Sequence, residues 1–215
     1  MQNLINILNQ SFPLQKKSVE EFDKIKVRGM NFEIQRYYAK GLGNVSLMHA
    51  TGFFGLMKMD TFIINPTECD APLFSYDRVF AMGNDTLILE LYDTMLGKPR
   101  LEEIASINRA YKELPDHDLG QHWYDHIKFA ESSSKKGRKK DMQSFNNLTK
   151  EYFKAYVEVL KRAEKCDAAE KREKAAVYVD GLLANGGPST DVFKKHYGKD
   201  KTEYLFRKIL FGIEV

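Results

Sequence analysis

A chain of 215 residues with 43% hydrophobic and 29% charged residues is long enough to bury one sizeable core and reads as a single globular domain, 1–215. A net charge of +3 is too small to argue for nucleic acid, and two cysteines far apart, Cys69 and Cys166, exclude a disulfide framework and a cysteine zinc site and fit a reducing cytosol. The N-terminus has no positive n-region and no apolar run nears the roughly 18 residues of a bilayer span, so the expectation is a soluble cytoplasmic protein with neither a membrane nor a nucleic acid as partner.

Residues 1–26 read as two short amphipathic helices broken at Pro13, with Ser18 and Glu21 at capping-box spacing. The pattern changes at Met30. Phe32, Ile34 and the Tyr37-Tyr38 pair make a strand, Gly41-Leu42-Gly43-Asn44 turns the chain, and Val45, Leu47 and His49 alternate with Ser46 and Met48 along a second strand. Three apolar runs follow, at 57–64, 73–82 and 86–92, broken by Asn65-Pro66 and by Gly83-Asn84-Asp85. Pro fixes φ, and Gly and Asn accept positive φ, so both breaks carry turn chemistry. Five to six strands within residues 30–93, joined by short links, predict an antiparallel sheet.

Beyond Gly97-Lys98-Pro99 the strand signal ends. A helix is expected over 100–114, with Ile104 and Tyr111 near one stripe, and Pro115 and Gly120 bound a loop that leads into 122–129. The run 132–140, three serines followed by Lys135, Lys136, Gly137, Arg138, Lys139 and Lys140, reads as a mobile basic surface loop. Further helices are expected over 141–163 and 168–183, the second stopped by Asn185-Gly186-Gly187, and over 190–197 and 200–211, parted by Gly198. Strands first and helices after predict one α+β layered structure.

Several features have ordinary readings. His122 and His126 would share a helix face, yet HxxxH without the glutamate of HExxH is a weak metal signal, and no metal is expected. Asn185-Gly186-Gly187 precedes a helix but lacks a P-loop lysine and a preceding strand. Asp77 is different. It is an acid inside an apolar strand, and burying a lone carboxylate costs several kcal/mol unless it is paired, hydrogen-bonded or protonated. His49 lies on a neighbouring strand, and the two are expected to share a pocket, a carboxyl kept protonated beside a histidine being a sensible proton donor.

The order of motifs resembles the ferredoxin-dependent bilin reductases. The resemblance rests on residues 65–79, with Pro72-Leu73-Phe74-Ser75-Tyr76-Asp77-Arg78-Val79 matching the family's Pro-aliphatic-Phe-x-x-Asp-x-Val strand, and on 89–94, a strand ending in Asp93 before Thr94. Met48-His49 falls near the family's Met-His pair, Trp123 near a family tryptophan, and 193–211 is similar to its closing helix pair, with Asn185 in the place of its pocket loop.

This resemblance implies a three-layer α/β/α sandwich with a central antiparallel sheet, and a linear tetrapyrrole held between sheet and C-terminal helices. It implies an oxidoreductase acting on CH–CH groups through single-electron transfers from reduced ferredoxin, an iron–sulfur donor, with no cofactor bound by the protein itself and a monomeric state. Asp77 would be the proton donor, His49 would hold or protonate the bilin, and Asn185 would line the opposite wall. The family's second histidine is replaced by Asp60 or Thr61, depending on a one-residue shift, and the pocket-loop lysine by Gly187-Pro188, which leaves the double bond reduced unassigned. The basic loop from Lys135 to Lys140 would dock the acidic electron carrier by electrostatic steering. The alternative function is a non-enzymatic tetrapyrrole carrier using the same pocket.

Overall fold

The structure, a computed structural model, describes residues 1–214. One sheet organises it, with strands β1 (Leu14–Lys17), β2 (Lys24–Val27), β3 (Met30–Ala39), β4 (Gly43–Gly52), β5 (Met57–Pro66), β6 (Leu73–Ala81), β7 (Asn84–Tyr92) and β8 (Ser133–Arg138). The order is β1-β3-β4-β5-β6-β7-β8, with β2 also paired to β3, and every pairing is antiparallel. From β3 to β7 consecutive strands are neighbours, as short turns require. The helices are α1 (Gln2–Asn9), α2 (Glu102–Ala110), α3 (Met142–Arg162), α4 (Ala168–Asn185) and α5 (Pro188–Tyr204), the last leading into a wide π turn at Leu205–Leu210.

The register from β3 to β7 runs without a bulge, so side chains alternate strictly between two faces. One face carries Val45, Leu47, Phe62, Ile64, Phe74, Leu89 and Leu91 and packs on α1, α2 and α3, where Phe74 stacks on Tyr156 at 4.8 Å between centroids. The other carries Ile34, Met48, Ala50, Ile63 and Tyr92 and packs on α4, α5 and the π turn. Helices on both faces give the expected sandwich, because each face of the central strands is too apolar to be left in water.

Buried polar contacts fix how the helices sit. Asn44 Nδ2 and Ser46 Oγ donate to the carbonyl of Leu210 (2.9 and 2.7 Å), and Asn65 Nδ2 donates to that of Phe211 (2.7 Å). These side chains satisfy carbonyls that the end of a helix leaves unpaired. Gly212, at φ 61°, passes so close that a Cβ would lie 2.5 Å from Asn44. Lys171 of α4 is buried and donates to the carbonyls of Ala71 (2.7 Å) and Thr94 (2.6 Å), and its burial lowers its pKa. On the α3 face, Arg78 and Asp85 form a buried two-pronged ion pair, with the guanidinium 5.2 Å from the ring centroid of Phe145.

Three expectations fail. The second N-terminal helix is instead β1, a short turn at Glu20–Phe22 and β2, because β3 offers a free edge and hydrogen bonding along it outweighs local helical periodicity. Ser18 accepts from the N–H of Glu20 rather than opening a helix. The segment 132–140 is no mobile loop but contains the edge strand β8, paired with β7 from Asn84↔Arg138 to Leu89↔Ser133. Lys135 is buried there and holds Asp116 and the carbonyl of Leu114, which removes it from any docking surface. Finally, 122–129 holds a single turn at Asp125–Ile127 and one bridge, Tyr92↔Lys128, so His122 and His126 do not sit on a common helix.

Candidate functional site

Asp77 lies mid-way along β6 on the face turned to α4. Its cross-strand partner on β5 is Thr61, whose Oγ1 donates to Oδ1 at 2.5 Å, and Ser75 Oγ stands 3.4 Å from Oδ2. Burial pushes the carboxyl up from 3.8 to about 6, with the nearby carboxylate of Glu90 adding to the rise and the hydroxyls of Thr61 and Ser75 opposing it. An acid so placed exchanges its proton near neutral pH.

Glu90 is the second acid of this face. It lies on β7 opposite Ser75, one diagonal step from Asp77, and it is buried. Tyr92 donates to its Oε2 at 2.6 Å, whereas Oε1 has no hydrogen-bond partner among the described residues, Lys128 Nζ being 3.8 Å away and held by Asp125 at 2.9 Å. Burial raises the pKa of Glu90, against the opposing effects of Tyr92 and Lys128. Around the two acids stand Tyr92 and Tyr178 (ring centroids 4.2 Å apart), Tyr124 (5.5 Å from Tyr92) and Trp123 (5.8 Å from Tyr178). Trp123 lies flat on α4 at Gly181, where a Cβ would come within 2.1 Å of the indole. His122 stacks on Tyr124 at 4.8 Å, and its Nδ1 has no hydrogen-bond partner among the described residues.

His49 is not part of this group. In strict register His49 pairs with Asp60, Nδ1 to Oδ1 at 2.6 Å, and both share the face of Val45, Leu47 and Phe62, toward α3. Met48 and Thr61 occupy the opposite face, with Asp77. The expectation that His49 and Asp77 share a pocket is therefore corrected: period-two alternation sends them to opposite sides of the sheet. By the same parity Thr61 shares the face of Asp77, and Asp60 lies on the face of His49. Asn185 is exposed on the last turn of α4 and turns its amide back to the carbonyl of Gly181 at 2.9 Å rather than to Asp77. A groove of about 600 Å³, lined in part by Asp180, Leu183, Lys194, Tyr204 and Arg207, does not include Asp77, Thr61 or Glu90 in its walls.

The chemistry of this face is legible from its parts. Two acids with raised pKa values, three phenols and an indole suit a flat, conjugated ligand carrying N–H donors, with aromatic surface for stacking and carboxyls for proton exchange. Glu90 escaped the sequence reading, although its signal is present: an acid alternating with Leu87, Leu89 and Leu91 in an otherwise apolar strand.

No protein-family model matches the chain, and no curated protein matches it in sequence. Among solved structures, phytochromobilin synthase from tomato, in complex with biliverdin, matches with a TM-score of 0.79 at 16% identity, covering 99% of this chain and 83% of the other. The two proteins share one fold. At this identity the likeness speaks for the architecture, an antiparallel sheet between helical layers.

Proposed function

We propose that the protein is a ferredoxin-dependent reductase of a linear tetrapyrrole, bound between the sheet and the helices α4 and α5. The observation that carries this reading is Asp77, an acid that burial pushes up to about 6, on the helix-covered face of a fold shared with a synthase solved with biliverdin. The motif around Asp77 that resembles the bilin reductases adds to it.

An electron from reduced ferredoxin enters the pigment's π system and makes its carbon atoms more basic. The Asp77 carboxyl then passes its proton to the pigment, and the hydroxyl of Thr61 steadies the carboxylate left behind. A second electron and a second proton complete the conversion of one C=C to CH–CH. Glu90, with Oε1 unpartnered among the described residues and a raised pKa, supplies or relays that second proton, and Tyr92 holds its other oxygen. Acid catalysis of this kind contributes roughly 10²–10⁴-fold when the donor's pKa lies near the working pH. His49 and Asp60, behind the sheet, take no part in the transfer.

The test is to mix protein, biliverdin and a reduced ferredoxin system and follow the visible spectrum. Binding shifts the pigment's absorption, and reduction then bleaches or moves it further. Asp77→Asn keeps the first change and loses the second. A spectral shift on binding with no change on reduction would make the protein a tetrapyrrole carrier, and full turnover by Asp77→Asn would remove that residue from the mechanism.

A further inference from the structure

One end of the sheet carries large apolar side chains in open solvent. Phe53 is 66% exposed, Phe54 108%, Leu56 74% and Met82 94%. The first three form the tip between β4 and β5, and Met82 heads the turn between β6 and β7; Met57 pairs with Ala81, so the two tips are neighbours. A Cβ added at Gly55 or Gly83 would meet nothing within 4 Å, so the tips project freely.

Their backbone is unusual for these residue types. Phe53, Phe54 and Met82 have φ of 49°, 55° and 51°, the left-handed region that β-turn chemistry normally gives to Asn, Asp or Gly. Arg28, at φ 51° in the two-residue turn between β2 and β3, stands at the same end. Four of the five described non-glycine residues with positive φ thus lie here. Strain of this kind, spent to hold bulky apolar groups out in water, has no return in folding.

Charge brackets the tips. Across the sheet the order at this end is Arg28, then the β4–β5 tip, then Met82, then the end of β8 with Arg138, Lys139 and Lys140, all of them exposed. Five strand spacings of ~4.8 Å set the row at about 24 Å wide. Arg138, Lys139 and Lys140 form no ion pair among the described residues, and the nearby acids are engaged: Asp141 accepts from the N–H of Arg138, and Asp85 is buried on Arg78.

We infer that this end is a docking surface for an anionic lipid bilayer, with Phe53, Phe54, Leu56 and Met82 entering the interface and the flanking cations resting on acidic headgroups. Projecting knobs suit a bilayer, which yields around them; a protein partner would need a matching pocket for each. A row of apolar tips between cations is the pattern that binds reversibly to such membranes, apolar burial adding to electrostatic attraction. The cations that the sequence alone offers to an acidic electron carrier are thereby given to headgroups. No helix is long and apolar enough to cross a membrane among the described residues, so the contact is peripheral.

Co-sedimentation of the full chain with vesicles tests this. The wild type pellets with phosphatidylcholine vesicles containing phosphatidylserine and much less with phosphatidylcholine alone, and added salt weakens it. The double variant Phe53→Ser/Phe54→Ser, matched to wild type by circular dichroism and melting, partitions at least about tenfold more weakly. Arg138→Glu/Lys139→Glu/Lys140→Glu loses the preference for phosphatidylserine, and Phe54→Trp emits further to the blue with these vesicles. Wild type left in the supernatant with phosphatidylserine vesicles at low salt overturns the proposal, as does unchanged partitioning of the double serine variant.

Discussion

The acid at the centre of the site leaves a thermodynamic signature that can be read without any pigment. Asp77 holds its proton more tightly folded than unfolded, 3.8 rising to about 6, which at ~1.36 kcal/mol per pKa unit amounts to about 3 kcal/mol. The sign follows from where the proton sits. The stabilisation is fully present below the unfolded value near 3.8 and is lost as pH rises through 6, because a buried carboxylate must then be carried by the native state. Between pH 5 and pH 8 the loss from Asp77 alone is on the order of 1 kcal/mol. Asp77→Asn keeps an oxygen to accept from Thr61 and carries no charge at any pH, so its stability relative to wild type should improve by about that amount over the same interval. Urea unfolding of both proteins at several pH values measures it. Glu90 shifts in the same direction but is present in both proteins, so its contribution largely cancels in the difference. A wild-type-minus-variant difference that is flat with pH, or that grows in the wild type's favour above pH 6, would refute the argument that burial dominates this carboxyl.

Thr61→Val removes the donor that favours the ionised form of Asp77, so the carboxyl should titrate still higher, visible as an upfield-to-downfield carboxyl NMR transition displaced to higher pH. Asp85→Ala strands the guanidinium of Arg78 in the α3 core and should cost about 3–5 kcal/mol in urea unfolding; a loss under 1 kcal/mol would mean that water reaches Arg78. Lys171→Met leaves the carbonyls of Ala71 and Thr94 without a donor and should cost roughly 2–4 kcal/mol, read from the same denaturation curves. Gly181→Ala drives a methyl into the ring of Trp123, the only tryptophan, so its fluorescence should move toward that of a solvent-exposed indole while far-ultraviolet dichroism stays the same.

Much was legible in the chain because it is local. Gly41-Leu42 and Gly83 turn the chain between central strands, although β4 already begins at Gly43, β5 runs on through Asn65-Pro66 and β7 begins at Asn84; Gly198 interrupts α5 at φ 79°, and the acid inside an apolar strand announced Asp77 as a residue needing explanation. These signals depend on a residue's own backbone preferences or on its nearest neighbours. The edge strands were misread for the opposite reason. The lysine- and serine-rich β8 and the polar β1 have little apolar pattern of their own and become strands only because β7 and β3 present unpaired N–H and C=O groups to them.

Sequence by itself thus determined the layered α+β architecture and the acid that the site is built on, since periodicity and turn chemistry are written residue by residue. Tertiary structure alone decided which side chains meet that acid. Whether His49 or Thr61 stands beside Asp77 depends on the pairing register of three strands, in which a single residue's slip exchanges one face for the other, and only the packed sheet settles that parity in favour of Thr61 and Glu90.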